Sequence, residues 1–113
     1  MDTYIEERLW GKFEQFCHNE NVTVKIITVK ANSKLSLQYH NNREEFWRIV
    51  YGSCKVVLGE EIFYAKEGDS FFIKKGVKHR VITEDNLVKF MEISYGNFDE
   101  NDIIRLEDSY GRS

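Results

Sequence analysis

Gln38, His40, Glu45 and His79 are the residues of this chain whose types and spacing invite metal chemistry. Two imidazoles, a carboxylate and an amide oxygen make a mixed nitrogen/oxygen donor set. Such a set suits zinc, iron, manganese, cobalt or nickel, and does not choose among them. A cation held this way keeps positions open to water or substrate, as catalytic sites require. Gln38 and His40 are two apart, so in an extended chain both side chains lie on one side. Glu45 is in phase with Trp47, Ile49 and Tyr51, which read as core, so its carboxylate is expected to point inward. A lone inward carboxylate is costly unless it is neutralised or paired. A cation between nearby histidines removes that cost. His79 is in phase with Val77 and Val81. Taken singly, each residue has a plainer reading: Gln38 and His40 as an exposed polar face, Glu45 paired with Arg43 or Arg48, His79 as a satisfied core histidine. The combination favours the metal.

Short strands must position these residues. Beyond the first residues the apolar pattern has period two, not 3.6. Strands are predicted over Val22–Val29, Lys34–His40, Glu45–Tyr51, Cys54–Leu58, Ile62–Ala65, Ser70–Ile73, Val77–Ile82 and Leu87–Ser94. Turn signals rich in Gly, Asn and Asp separate them, and there is no proline. Thr3–Arg8 reads as a helical turn or an arm. The tail from Asn97 is polar apart from Ile103-Ile104. The fold class is therefore all-β, a sandwich, barrel or jelly roll. Residues 1–113 read as one domain, with 1–12 as an N-terminal arm and 97–113 as a tail packed on the barrel.

The bulk composition narrows the function classes. The formal net charge is -3, which offers no electrostatic footprint for nucleic acid. No apolar run approaches the ~20 residues of a membrane-spanning helix. The start carries no basic stretch followed by an apolar one, so no signal peptide is expected. Cys17 and Cys54 are far apart and read as reduced, packed thiols. The expected location is the cytoplasm.

Two stretches resemble the cupin motifs. Glu45, six residues and Gly52 resemble the end of the first. Gly68-Asp69-Ser70-Phe71-Phe72-Ile73-Lys74-Lys75-Gly76-Val77-Lys78-His79 resembles the second, with Lys74 where proline is usual. More narrowly, the chain is similar to the cupin domain of type II phosphomannose isomerases. That domain often forms the C-terminal part of bifunctional mannose-1-phosphate guanylyltransferase/isomerases. The blocks are Arg8-Leu9-Trp10-Gly11, Leu35 to Trp47, Lys78-His79-Arg80 and Arg105 to Arg112, in order along the chain. The resemblance implies a single-domain cupin jelly roll with one divalent metal ion per chain, zinc first. It also implies Gln38, His40, Glu45 and His79 as the ligands, and a homodimer. Asn42 and Phe46 stand where relatives often show histidine, next to the ligands, and imply a changed shell around the metal. Leu9 replaces a proline. No nucleotidyltransferase sequence accompanies these residues, so a separate transferase is a possible partner.

The implied reaction is an aldose–ketose isomerisation of a sugar phosphate, with mannose 6-phosphate and fructose 6-phosphate as the leading pair. A metal stabilises the enediolate charge as a Lewis acid. Proton transfer is expected from Glu45, Lys78 or a metal-bound water. Phosphate calls for arginine forks, and Arg43, Arg80 and Arg112 fall within the matching blocks. Alternation turns Arg80 away from His79, which favours a structural or subunit role. Arg112 takes part only if the tail folds over the barrel mouth. Trp47 is expected in the core, and Trp10 where the N-terminal strand docks. Two alternatives remain open: a non-catalytic cupin that binds a sugar or sugar nucleotide, and another metal cupin enzyme such as an iron oxygenase.

Overall fold

A computed structural model describes residues 3–108, and those residues contain strands and no helix. In chain order the strands are β1 (Tyr4–Arg8), β2 (Gly11–Gln15), β3 (Val22–Val29), β4 (Leu37–Tyr39), β5 (Glu45–Tyr51) and β6 (Cys54–Leu58). Then follow β7 (Glu61–Ala65), β8 (Ser70–Ile73), β9 (His79–Ile82), β10 (Val88–Tyr95) and β11 (Ile104–Glu107). One sheet has the order β3-β10-β5-β8 and the other β11-β4-β9-β6-β7, with antiparallel neighbours throughout. Trp47, Ile49, Ile73, Val88 and Phe90 from the first sheet meet Cys54, Val56, Ala65 and Val81 from the second in one buried core. The two sheets therefore pack face to face, and alternation along each strand decides what enters the space between them.

Cross-strand registers fix the rows of the first sheet. Thr23, Ser94, Glu45 and Ile73 form one inward row, and Lys25, Glu92, Trp47 and Phe71 the next. The outward rows are Val24–Ile93–Phe46–Phe72 and Ile26–Met91–Arg48–Ser70. In the second sheet Gln38 lies opposite His79.

β3, β5, β6 and β8 have the predicted bounds, because β-branched and aromatic residues there coincide with clear turn signals. Other readings need correction. Thr3–Arg8 is no helical turn: Tyr4–Arg8 pairs with Gly11–Gln15 in a hairpin turned by Leu9-Trp10. Only Leu37–Tyr39 of the Lys34–His40 segment is a strand. The part before it is held by an isolated Lys34–Ile82 bridge and by the Leu35 amide donating to the Val81 carbonyl at 2.9 Å. Tyr51 is no core residue. The register slips between Phe90–Ile49 and Lys89–Tyr51, leaving Val50 as an extra residue that turns Tyr51 out to 54% exposure. β9 begins at His79 rather than Val77, because the Val77 amide donates back to the Lys74 carbonyl at 3.2 Å and closes the preceding turn. Residues 104–107, read as polar tail, form an edge strand on β4.

Gly52 connects β5 to β6 with φ at +82°. A Cβ there would lie 2.5 Å from the Leu87 carbonyl oxygen, so both conformation and space require glycine. Gly52→Ala is expected to lower stability by about 1–3 kcal/mol, read from chemical denaturation. A second contact ties the hairpin to the barrel: Arg48 donates to both Glu14 carboxylate oxygens, at 2.9 and 2.8 Å. Hydrogen bonds from Arg48, then Thr3, hold the Glu14 carboxyl at about 2, below its ordinary 4.5. A folded value below the unfolded one stabilises above pH 4.5 and stops doing so as pH falls towards 2. Glu14→Gln is therefore expected to cost up to about 1 kcal/mol at pH 6. The gap from the parent chain should close as the denaturation is repeated at lower pH.

Candidate metal centre

His40, Glu45 and His79 converge. Their ligand atoms all lie within 4.8 Å of one another, and all three side chains are buried. His40 follows β4, Glu45 opens β5 and His79 opens β9, so both sheets contribute. Glu45 enters on the inward row of the first sheet and His79 faces it from the second. The imidazole rings sit 5.0 Å apart.

Each histidine is oriented from behind. His40 Nδ1 lies 2.6 Å from the Asp102 carbonyl and His79 Nδ1 lies 2.9 Å from the Val77 carbonyl. A carbonyl only accepts, so each Nδ1 carries the proton and each Nε2 presents its lone pair inward. His40 Nε2 lies 3.4 Å from one Glu45 oxygen, and His79 Nε2 lies 3.9 Å from the other. Bonds of about 2.0–2.2 Å from one cation to each ligand put ligand atoms roughly 3–4 Å apart, which these separations match. His79 Nε2 is buried and makes no hydrogen bond. An orphaned buried acceptor is costly, and a cation satisfies it. Burial pushes the His79 imidazole below its ordinary range and keeps it neutral, the form that ligates. The site therefore fits a divalent cation.

Glu45 carries the electrostatics. Burial works to raise its carboxyl, but a hydrogen bond from Glu92, the two histidines and Arg43 outweigh it and hold the group below its ordinary value. Arg43 Nε donates to one oxygen at 2.9 Å and Trp47 Nε1 to the other at 3.0 Å. The Trp47 ring stands edge-on to His79 at 5.4 Å. Glu92 lies one inward row from Glu45. Burial, then the hydrogen bond and charge of Glu45, push its carboxyl up to about 8. At neutral pH it is mainly the protonated partner of the pair. Glu92 was missed in the sequence reading, although it is in phase with Val88 and Phe90, the same signal that singles out Glu45.

The other candidates fall as follows. Gln38 is half-buried, lies opposite His79 and has its Oε1 bonded by the Ser36 hydroxyl at 2.7 Å. Arg43 is buried rather than on the surface. Besides Glu45, its Nη2 lies 3.2 Å from His40 Nε2, Nη1 donates to the Asp99 carbonyl at 3.2 Å, and its plane stacks on Phe98. A cation at Glu45 and His40 would thus replace two bonds of this guanidinium. Lys78 is not brought to the cluster: its ammonium bonds Glu60 at 3.2 Å near the surface. Arg80 turns away from His79, donates to the Leu35 carbonyl at 3.0 Å and reaches Glu107. Arg112 lies outside the described residues. Phe46 does not border the ligands: it packs against Phe16 on the outer face of the sheet, since it alternates with Glu45. Asn42 is exposed, its amide bonded to Asp102. Trp10 does not dock but is 73% exposed. Cys17 and Cys54 form no disulfide, and burial pushes the Cys54 thiol up to about 11.

A cavity of about 470 Å³ opens beside the cluster, lined by Gln38, Arg43 and Glu92 together with Lys25, Phe98 and Arg105. It lies where the edge strands β3 of one sheet and β11 of the other leave the sandwich open.

Trp47 offers a direct readout of the centre. Adding zinc or manganese to chelator-treated protein is expected to change its fluorescence and to stabilise the fold by about 2.7 kcal/mol at 100 times the dissociation constant. His79→Ala should abolish both responses. A thermal midpoint indifferent to every divalent cation tested would count against the site.

Among solved structures, the fold is similar to oxalate decarboxylase from Bacillus subtilis, with a TM-score of 0.69 at 25% identity over 77% of this chain and 24% of that one. A cupin protein from Bacteroides fragilis superposes with a TM-score of 0.61 at 20% identity, covering 69% of this chain and 70% of that one. At that identity the likeness shows the fold alone. By sequence the chain is 39% identical to the xanthan biosynthesis protein XanB of Xanthomonas campestris pv. campestris, over 94% of this chain and 23% of that protein. It is 35% identical to the mannose-1-phosphate guanylyltransferase ManC of Salmonella typhimurium, over 93% and 22%. The chain thus spans less than a quarter of the length of these relatives. Residues 3–108 match the family described as mannose-6-phosphate isomerase C-terminal. With that match over nearly its whole length and a cupin fold beneath it, the chain belongs to the mannose-6-phosphate isomerase C-terminal family.

Proposed function

We propose that the chain is a metal-dependent aldose–ketose isomerase acting on a sugar phosphate, with mannose 6-phosphate and fructose 6-phosphate as the pair. The observation that carries this reading is the buried His40–Glu45–His79 cluster, whose neighbours Gln38, Arg43 and Glu92 line a cavity with further cationic side chains. Membership of the family supports the choice of sugar. In this reading His40, Glu45 and His79 hold the ion, with Gln38 from the adjoining strand as fourth ligand. The ion is zinc first, with iron, manganese, cobalt and nickel as the other fits to such donors. When bound, the ion supplies Lewis-acid stabilisation of negative charge on the sugar oxygens.

The chain's own residues account for the rest. The carbonyls of Asp102 and Val77 keep both imidazoles in the ligating tautomer. Glu45 accepts from Arg43 and Trp47, so it is committed to holding charge rather than to moving a proton. Glu92 and Glu100 both line the cavity without belonging to the ligand cluster; Glu92 is the buried one, a row away from Glu45, which suits it to carry the proton between adjacent sugar carbons. Lys25, Arg43 and Arg105 are the cations of the cavity wall, and their charge suits the phosphate. Lys78, bonded to Glu60, has no part in this reading.

Metal-loaded protein incubated with mannose 6-phosphate should yield fructose 6-phosphate in a coupled assay. Glu92→Gln should lower kcat by about 100-fold or more, while cation binding, followed through Trp47, persists. No product with any of the five metals would sink the isomerase. Calorimetric binding of the sugar phosphate without turnover would favour a non-catalytic sugar-binding cupin.

A further inference from the structure

Arg43 is placed where its guanidinium competes with a cation for the same atoms. Its Nε donates to Glu45 Oε2 at 2.9 Å, and its Nη2 lies 3.2 Å from His40 Nε2. Those two acceptor atoms are 3.4 Å apart. One edge of the guanidinium therefore spans two of the three residues of the metal centre. His40 Nε2 has a single lone pair, since the Nδ1 proton is committed to the Asp102 carbonyl. That nitrogen accepts from Nη2 or ligates an ion, and it does not do both. At Glu45 Oε2 the ion and the guanidinium are like charges on one oxygen. The guanidinium also leaves His79 Nε2 without a donor. A divalent cation serves all three ligands, which makes it the stronger occupant.

Arg43 has a second set of partners. Its Nη1 donates to the Asp99 carbonyl at 3.2 Å, and its guanidinium carbon stands 4.6 Å from the centre of the Phe98 ring. Neither contact uses a metal ligand, so an ion at the cluster need not disturb them. They tether the guanidinium in the cavity wall while its Nε–Nη2 edge is released. That edge is the fork that fits two oxygens of a phosphate. Lys25 marks the same end of the cavity, with its ammonium 4.1 Å from the centre of the same ring. Charge balance points the same way. Glu45 and Arg43 cancel one another. A divalent ion then adds two positive charges to a buried cluster, and a phosphate monoester supplies about −1.5 to −2 at neutral pH. A sugar without phosphate would leave more of that charge uncompensated.

We propose that, on the sugar-phosphate reading of this site, a bound cation expels Arg43 from the ligand cluster and turns its Nε–Nη2 fork into the cavity, where with Lys25 it forms the phosphate subsite. The centre is then assembled in order, the ion first and the phosphate second. Each strengthens binding of the other by the same factor, as linkage requires. Arg43 is the placeholder of the ion and, once displaced, the anchor of the substrate.

Binding, rather than turnover, is measured on the full, chelator-treated chain. Calorimetry with inorganic phosphate should show about 10-fold tighter binding after loading with manganese, and phosphate should tighten manganese binding, followed through Trp47, by the same factor. Phosphate ligated by the ion itself would also give linkage, and Arg43→Gln separates the two. This variant should bind manganese at least as tightly as the parent, because the competing guanidinium is gone, and should lose the linkage. Undiminished linkage in Arg43→Gln would overturn the proposal, as would weakened manganese binding in a variant that keeps its circular dichroism. A direct reading needs no variant. Zinc added to the parent chain should shift the Arg43 Nε–H resonance and speed its exchange with water, and a resonance that bound zinc leaves unchanged would overturn the exchange even where Arg43→Gln fails to fold. The isomerase reading is separable from these outcomes. Linkage in a chain that makes no fructose 6-phosphate would keep the exchange and remove the reaction, whereas turnover without linkage would do the reverse.

Discussion

The carboxylate of Glu45 is buried at 1% exposure, and the architecture around it follows from the need to compensate that charge. Both oxygens are occupied: one by Arg43, the other by the Trp47 indole. Two imidazole nitrogens face the same oxygens, and Glu92 lies on the next row. Removing a single partner would leave an uncompensated charge in a low-dielectric interior, so the groups behave as a unit. The set is over-supplied with lone pairs and short of donors, since His79 Nε2 finds none. A divalent cation would relieve that imbalance.

The two sheets make this arrangement possible in different ways. β5 and β10 are adjacent, so Glu45 and Glu92 arrive on neighbouring rows of one surface. β4 and β9 come from the opposite surface and bring Gln38 and His79 as a cross-strand pair. Closing the sandwich on a shared core of Trp47, Ile49, Val56, Val81 and Phe90 presses the donors together. Packing therefore supplies the work of desolvating the ligands. A core that packed loosely would let water in and remove both the orphaned nitrogen and the need for a metal.

Much of this was legible in the sequence because alternation is a local property. Glu45 in phase with Trp47 and Ile49, and His79 in phase with Val81, could be placed on inner faces from spacing alone. Glu92, in phase with Val88 and Phe90, carries the same signal of an inward carboxyl. Arg43 was different. Pairing with Glu45 was foreseeable, but burial was not, because Phe98 and Asp99 cover it from more than fifty residues away. Tyr51 misled because a bulge shifts the phase by one residue, which no periodicity reveals. Phe46 was judged by nearness in sequence to Glu45, whereas adjacent residues of a strand point to opposite faces.

The C-terminal segment shows how far such long-range terms reach into the chemistry. It supplies the Asp102 carbonyl that fixes the proton of His40, and the Asp102 carboxylate that accepts from the Asn41 and Asn42 amides at 2.9 Å each. Partial burial works to raise that carboxyl, yet the two amides hold it below its ordinary value, so it stays ionised and keeps the loop after β4 in place. Phe98 and the Asp99 carbonyl hold Arg43 against Glu45. β11 then closes the edge of β4 beside Gln38. A segment that reads as a polar tail thus orients one ligand, anchors the loop that follows it and covers the counter-ion of another. The geometry of the metal centre depends on residues 98–107 as directly as on the strands that carry its ligands.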